Sequence, residues 1–162
     1  MVGELTGIFH LNAWDASRSG SLLVVLVADG MRESVSYSVL EYMYRDAGNW
    51  KTHGVALLLG NVGALEATIR SCLDPGEVFV PEQVLLPGLH RWHWNQYGDG
   101  PNDLDHAFHE FVGLRDVGKE DAELHPLIGS TMEVAALFLE ARGRWDVRCS
   151  RYLREMYSGW VG

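Results

Sequence analysis

The sequence predicts an α+β domain in which helices pack on one face of a mainly antiparallel sheet, with two helices at the C-terminal end. Two alternating segments flank a turn near the start, an apolar stripe at helical spacing follows them, and two more helical patterns lie beyond residue 130. The 162 residues fit one ordinary domain. We divide this single domain into an N-terminal strand or extension (1–30), an α+β core (31–123) and a C-terminal helical segment (124–162).

A first β-hairpin is predicted from residues 36–45 and 50–59. Apolar and polar side chains alternate along the first segment, and the second ends in a continuous apolar run. Between them, Asp46, Gly48 and Asn49 have turn chemistry, because Asp and Asn bond their own backbone and Gly tolerates positive φ. The two strands therefore pair through a tight turn.

The middle of the chain predicts one helix and three further strands. Asn61 is a suitable N-cap for a helix over residues 62–73, which carries an apolar stripe. The later segments are a short strand and a second hairpin around a turn-rich cluster at 98–103. These three strands are predicted at residues 77–80, 90–94 and 105–114.

The C-terminal segment predicts two helices. Ser130 and Glu133 have the spacing of a capping box, and Gly143 marks the end of that helix. A second helix is predicted from Trp145. Its polar side would carry four arginines as one basic stripe, a pattern typical of a solvated helix face.

Composition and charge exclude several classes of protein. The formal net charge of −9 argues against a nucleic-acid binder, which usually carries a basic surface. No apolar run approaches the ~20 residues of a membrane helix, so we expect no membrane partner. The apolar run at 22–28 is interpreted as a buried strand; a signal peptide and a start at Met31 are the alternatives. We expect a cytoplasmic protein without a cofactor.

The first hairpin turn is the most distinctive candidate for binding. Arg45 and Lys51 would flank its mouth, with Asp46, Asn49 and Trp50 between them. Two cations at one turn could hold a carboxylate or phosphate of a ligand or partner. In the alternative interpretation, Asp46 and Asn49 only shape the turn and Arg45 pairs with a nearby acid.

The aromatic segment at 90–94 supplies two further candidates. On the predicted strand, Trp92 and Trp94 share a face that is expected to be buried, because Trp contributes a large buried area. Arg91 and His93 then lie on the opposite side, and we assign both to the partner-binding surface.

A catalytic or metal site is the alternative, because carboxylates and imidazoles bind zinc and move protons. On a helix, His106, His109 and Glu110 would share one face, but on the predicted strand His109 points away from the other two. The catalytic set in this alternative is Asp105, His106 and Glu110. The metal set is His93, Asp105 and His106. No spacing matches a specific metal motif.

Four segments, at 44–51, 79–84, 86–89 and 106–111, together resemble a family of small uncharacterised bacterial proteins. The shared features are a Tyr-Arg-Asp-Ala-x-Asn-(Tyr/Trp)-Lys turn, a Pro-Glu-Gln stretch and a His-Glu-Phe strand, and they cover residues 39–114. The resemblance implies a bacterial, intracellular protein. It implies no activity, because none is established for that family.

The sequence thus favours a small acidic binding module that regulates or neutralises another bacterial protein. A protein partner is expected, and homo-oligomers remain open. The alternative is a small metal-assisted hydrolase or nuclease that uses the region of Asp105, His106 and Glu110.

Overall fold

The computed structural model describes residues 35–157, and its centre is a five-stranded sheet of order β3-β4-β1-β2-β5. Three of the four strand pairs are antiparallel, and only β2 and β5 run parallel. The predicted α+β class with a mainly antiparallel sheet is confirmed. The strands are β1 (Tyr37–Arg45), β2 (Lys51–Leu59), β3 (Val78–Phe79), β4 (His109–Val117) and β5 (Leu127–Ser130).

The first hairpin forms as predicted. β1 and β2 pair without a register shift, with Arg45 opposite Lys51 at the turn. Asn49 adopts φ 70°, the left-handed conformation that Asn tolerates better than most residues. The Asp46 carboxylate accepts the Trp50 backbone N–H at 2.8 Å. Local turn chemistry therefore determines where the chain reverses.

Five helices and two 3₁₀ turns complete the described residues. The helices at residues 65–70 and 131–141 contribute to the main core, whereas the helix at 90–97 adds Trp94 to a second cluster with Tyr152 and Met156. The short helix at 119–122 adds Ala122 to a third cluster with Val39 and Leu57 on the other sheet face. The helices are α1 (Leu65–Arg70), α2 (His90–Tyr97), α3 (Lys119–Ala122), α4 (Thr131–Ala141) and α5 (Leu153–Tyr157), and the 3₁₀ turns are Pro81–Val84 and Val147–Cys149.

The predicted strand at 90–94 is wrong, because these residues begin the eight-residue helix α2. His90, His93 and Trp94 form its buried side, and Gly98 ends it with φ 65°. Five alternating residues were too short a window to distinguish a strand from a helix. The second hairpin is consequently wrong too, and β4 pairs with β1 and β3 instead.

Two other helix boundaries also differ from the prediction. Helix α1 begins after Ala64, so Asn61 is not its N-cap. The helix predicted from Trp145 is a 3₁₀ turn followed by α5, so its arginines do not form one helical stripe. The capping box of Ser130 and Glu133 at α4 is confirmed.

The main core lies between one face of the sheet and helices α1 and α4. Leu40, Tyr42 and Tyr44 alternate on the inner face of β1 and are almost fully buried. Phe79 and Phe138 pack beside them with ring centroids 5.4 Å apart. Helix α2 packs near the turn of the first hairpin, where His93 Nδ1 lies 2.9 Å from Thr52 Oγ1 at the start of β2.

The N-terminal extension and its predicted strand at 22–28 lie outside the described residues. Within residues 35–157, no helix is long and apolar enough to cross a membrane.

Candidate functional site

A cavity of about 260 Å³ opens beside the first hairpin turn. Three parts of the chain form it: the turn itself, the C-terminal half of α2 and the loop that follows α2. Its lining combines carboxylates, aromatic rings and amides, contributed by Asp46, Trp50, His93, Gln96, Tyr97, Asp99, Asn102 and Asp105.

Two aromatic side chains border this cavity. The Trp50 side chain is 57% exposed although it packs edge-on against Tyr97, with ring centroids 4.8 Å apart. The Tyr97 hydroxyl donates to the Lys51 carbonyl at 2.7 Å, which fixes α2 to the start of β2. An ordered Trp therefore presents a large surface to solvent beside a polar recess.

Asp46 and His93 form a buried pair in the cavity wall. Asp46 is 8% exposed and His93 is 3% exposed. The distance from Asp46 Oδ2 to His93 Nε2 is 3.5 Å. The other imidazole nitrogen, Nδ1, lies 2.9 Å from Thr52 Oγ1, and the Thr52 hydroxyl donates to Gln96 Oε1 at 3.3 Å.

Asp105 is committed to internal hydrogen bonds. Its Oδ1 accepts the Tyr44 hydroxyl at 2.6 Å, and its Oδ2 accepts the Trp94 indole N–H and the Asn102 backbone N–H, each at 2.9 Å. Burial and this bond to Asp105 raise the pKa of the Tyr44 hydroxyl well above its usual range. Tyr44 therefore stays protonated and holds the loop after α2 against β1.

Four imidazoles surround the Tyr44 ring, with centroids 4.5–5.4 Å away. Burial lowers the pKa of His90 to about 4 and the pKa of His109 well below its ordinary value. Both rings are therefore neutral near neutral pH. The four are His90, His93, His106 and His109.

The hydrogen bonds of the two neutral rings, His90 and His109, show that these side chains have a structural role. His90 Nε2 lies 2.8 Å from the His106 carbonyl, and His109 Nε2 accepts the Leu89 backbone N–H at 2.9 Å. A carbonyl can only accept, so His90 carries its proton on Nε2. These bonds fasten the start of α2 to the segment before β4.

The cations of the first hairpin turn do not form the anion-binding mouth that we expected. The Arg45 guanidinium binds both Glu110 carboxylate oxygens at 2.8 Å. Arg45 follows the buried Tyr44 and so lies on the opposite face of β1 from the cavity. The alternative interpretation, in which Arg45 pairs with a nearby acid, describes the structure.

Lys51 and Arg91 also lie outside the cavity lining. Lys51 is exposed, and the exposed Arg91 pairs with Glu155 at 3.2 Å. Asn49 faces Arg45, whose Nη1 donates to its side-chain oxygen at 3.4 Å. Of the seven predicted binding residues, the structure brings together Asp46, Trp50 and His93 in the cavity.

The catalytic and metal sets do not assemble. Glu110 follows the buried His109 on β4 and points to the opposite sheet face, towards Arg45, whereas Asp105 bonds Tyr44. His109 and Glu110 therefore point to opposite faces, as the strand prediction required. Among residues 35–157, no group of three or more His, Cys, Asp or Glu side chains could hold a metal ion.

Gln96, Tyr97, Asp99 and Asn102 are lining residues that the predicted binding set lacks. The signal was present in the helical spacing of residues 90, 93, 94 and 97, which places His93 and Tyr97 on one side of α2. The predicted strand ended at Trp94, before Tyr97, and placed His90 and His93 on opposite faces.

Comparison with protein-family models, with curated proteins and with solved structures finds no match to this chain.

Proposed function

We propose that this chain is a protein-binding module and that the cavity beside the first hairpin turn is its contact site. The partner that we propose is another bacterial protein, which this chain regulates or neutralises. The acidic composition, with a formal net charge of −9, favours a partner with a complementary basic surface.

The exposed Trp50 carries this proposal. Trp is enriched among the residues that dominate binding energy at interfaces, and those residues sit beside pockets that exclude water. Trp50 is 57% exposed, yet Tyr97 and the turn hold it in place. Little side-chain entropy would therefore be lost when a partner covers it.

Trp92 supplies a matched control, because it is 59% exposed on α2 and does not line the cavity. The partner would be isolated by affinity capture from the source cells, purified and titrated against each variant. We expect Trp50→Ala to weaken its binding by about tenfold or more and Trp92→Ala to leave it nearly unchanged. Equal effects of the two substitutions, or no saturable partner, would refute the proposal.

A further inference from the structure

We infer that a short extended segment of the protein partner adds as a strand to the open edge of β2, the side of residues 52–56 that faces away from β1. This inference rests on the proposed function and names how the partner contacts the chain beside the cavity. Three features support it: unpaired backbone groups along this edge, the closure of both its ends, and the position of the cavity.

Alternate residues of β2 direct their backbone groups away from β1. The Leu57 N–H donates to the Pro126 carbonyl at 3.4 Å, outside the ladder with β1. The Lys51 carbonyl accepts the Tyr97 hydroxyl at 2.7 Å, also outside that ladder. Because a strand repeats every two residues, residues 53 and 55 between them point their backbone groups the same way.

His53 and Val55 therefore carry two N–H donors and two C=O acceptors on the open edge. Within the part of the chain that the structure describes, neither the strand ladders nor the other hydrogen bonds give these four groups a partner. In an antiparallel arrangement, two residues of an added strand would each exchange both bonds with His53 and Val55. The main chain of an extended peptide is the chemical structure that complements this edge.

The corresponding stretch of β4 is already occupied by side chains of α1. β3 pairs with only two residues of β4, but the Arg70 guanidinium donates to the Val112 carbonyl at 3.1 Å. The Glu66 carboxylate accepts the Leu114 backbone N–H at 3.3 Å. An added strand would have to displace both side chains there, so the open edge of β2 is the more available of the two.

Both ends of the open edge are closed, which favours a short segment over a second copy of this chain. Beyond Leu57 the position beside β2 belongs to β5, and at Lys51 the Tyr97 side chain holds the carbonyl. The five residues between them span about 17 Å. Antiparallel pairing of two β2 strands would place the Lys51 end of each copy where β5 of the other already lies. A single extended segment meets no such obstacle.

The cavity adjoins one end of the open edge. Trp50 immediately precedes β2, and both Trp50 and Tyr97 line the cavity. A segment that pairs with residues 52–56 therefore ends beside the exposed Trp50 ring. Main-chain bonds at a sheet edge supply affinity, and the neighbouring pocket selects among side chains.

Peptides selected from a phage library of random linear dodecapeptides on the intact protein provide the first test. We expect an enriched sequence that binds saturably as a synthetic peptide and slows hydrogen exchange of the His53 and Val55 amides. N-methylation of alternate residues gives two further peptides, each blocked along one edge. One should bind at least about tenfold more weakly and the other nearly as well as the parent. No saturable peptide, or equal effects of the two methylation patterns, would overturn the inference.

Proline at residue 53 provides the mutational arm. His53→Pro removes one outward N–H and leaves the ladder with β1 intact, because proline is tolerated on an edge whose N–H faces solvent. His53→Gln is the matched control, since it keeps the N–H. We expect His53→Pro to weaken the selected peptide at least about fivefold and His53→Gln to leave it unchanged.

Equal binding by the two variants would overturn the inference, as would slow exchange of the His53 and Val55 amides in the free protein. Urea midpoints check that both variants fold, and if His53→Pro does not, the two methylated peptides decide.

The two proposals fail in different ways. If a protein partner binds in a Trp50-dependent manner but is indifferent to His53→Pro, only the strand addition is wrong. If the selected peptides bind the open edge but the partner is indifferent to Trp50→Ala, the edge is a peptide site and the proposed function is wrong.

Discussion

Gly54 on β2 determines how closely α2 approaches the sheet. A Cβ atom at this position would lie 2.7 Å from Leu89 Cδ2 and 2.9 Å from Tyr42 Cζ, both too close for real contacts. Leu89 immediately precedes α2, the helix that carries His93. The absence of one side chain on β2 therefore allows the cavity wall to form.

We expect Gly54→Ala to destabilise the fold by about 1–3 kcal/mol, because the core around it is packed and cannot absorb a methyl group. Gly113→Ala is the control, since a Cβ there meets nothing within 4 Å. Urea denaturation would measure both free energies of unfolding. Comparable losses in the two variants would contradict the close-approach explanation.

The Arg45–Glu110 ion pair is a second feature at the scale of single residues, and it contributes to the stability of the fold through charge. Its side chains are 36% and 25% exposed, so solvent screens their attraction. We expect Glu110→Gln to lower the free energy of unfolding by no more than about 1 kcal/mol. Because the pair lies on the face opposite the cavity, binding of the captured partner should be unchanged; a large loss in that titration would place Glu110 in the site.

At the scale of single elements, α4 shows how a local signal determines a helix. Ser130 Oγ accepts the Glu133 backbone N–H at 3.2 Å, and Glu133 Oε2 accepts the Ser130 backbone N–H at 2.8 Å. These two bonds satisfy donors that the first helical turn would otherwise leave free. The Ser130 backbone N–H and the Ser130 hydroxyl both donate to Glu133 Oε2, and these two bonds lower the pKa of the Glu133 carboxyl.

We expect Ser130→Ala to cost about 1 kcal/mol of stability, the usual effect of removing an N-cap oxygen. Glu133→Gln should cost less near neutral pH, because the amide oxygen can still accept the Ser130 N–H. Chemical denaturation of both variants would show which substitution lowers the free energy of unfolding more. A larger loss of stability for Glu133→Gln would mean that the carboxylate charge at the start of the helix contributes more than the N-cap hydrogen bond of Ser130.

The elements that sequence reasoning recovered are those with a local determinant. The first hairpin has its turn residues and α4 has its capping box, and both signals act within a few residues. Helix α2 has no side-chain cap, and its buried face depends on contacts with β1, β2 and β4. Tertiary contacts stabilise it, and alternation over five residues could not reveal them.

The same limit applies to the candidate site. Asp46, Trp50 and His93 could be named from residue type and turn chemistry alone. That these three residues lie beside Asp99 could not be predicted, because this arrangement requires α2 to be a helix and to pack across the first hairpin. The partner of Arg45, Glu110, is 65 residues away in sequence. The sequence therefore did not reveal this ion pair, and Arg45 was assigned to binding.

At the scale of the whole molecule, the buried imidazoles make stability depend on pH. His90 and His109 have pKa values below the unfolded value of about 6.5, and burial is the largest cause. Below about pH 6.5 the unfolded chain binds protons that the folded chain does not, so the free energy of unfolding falls with falling pH. For His90 the loss is complete below about pH 4.

We therefore expect the free energy of unfolding to be lower at about pH 5 than at about pH 7, with up to roughly 2 kcal/mol attributable to His90. His90→Gln should reduce the difference between the two pH values, although it lowers stability at both. His53 is exposed, and His53→Gln should leave the difference unchanged. A pH-independent urea midpoint in the unmodified protein would contradict this account.

The strand lengths of the sheet have a consequence for self-association. Within residues 35–157, the outermost strands β3 and β5 span two and four residues, whereas the three inner strands span nine residues each. Short outer strands offer few unsatisfied backbone groups on which another chain could add. Within the described residues, β1 is enclosed along most of its length between β2 and β4, whereas β3 covers only His109 and Glu110 of β4, and β5 covers only Leu57, Leu58 and Leu59 of β2. The uncovered stretches of β4 and β2, rather than the short outer strands, are therefore the edges on which another strand could add.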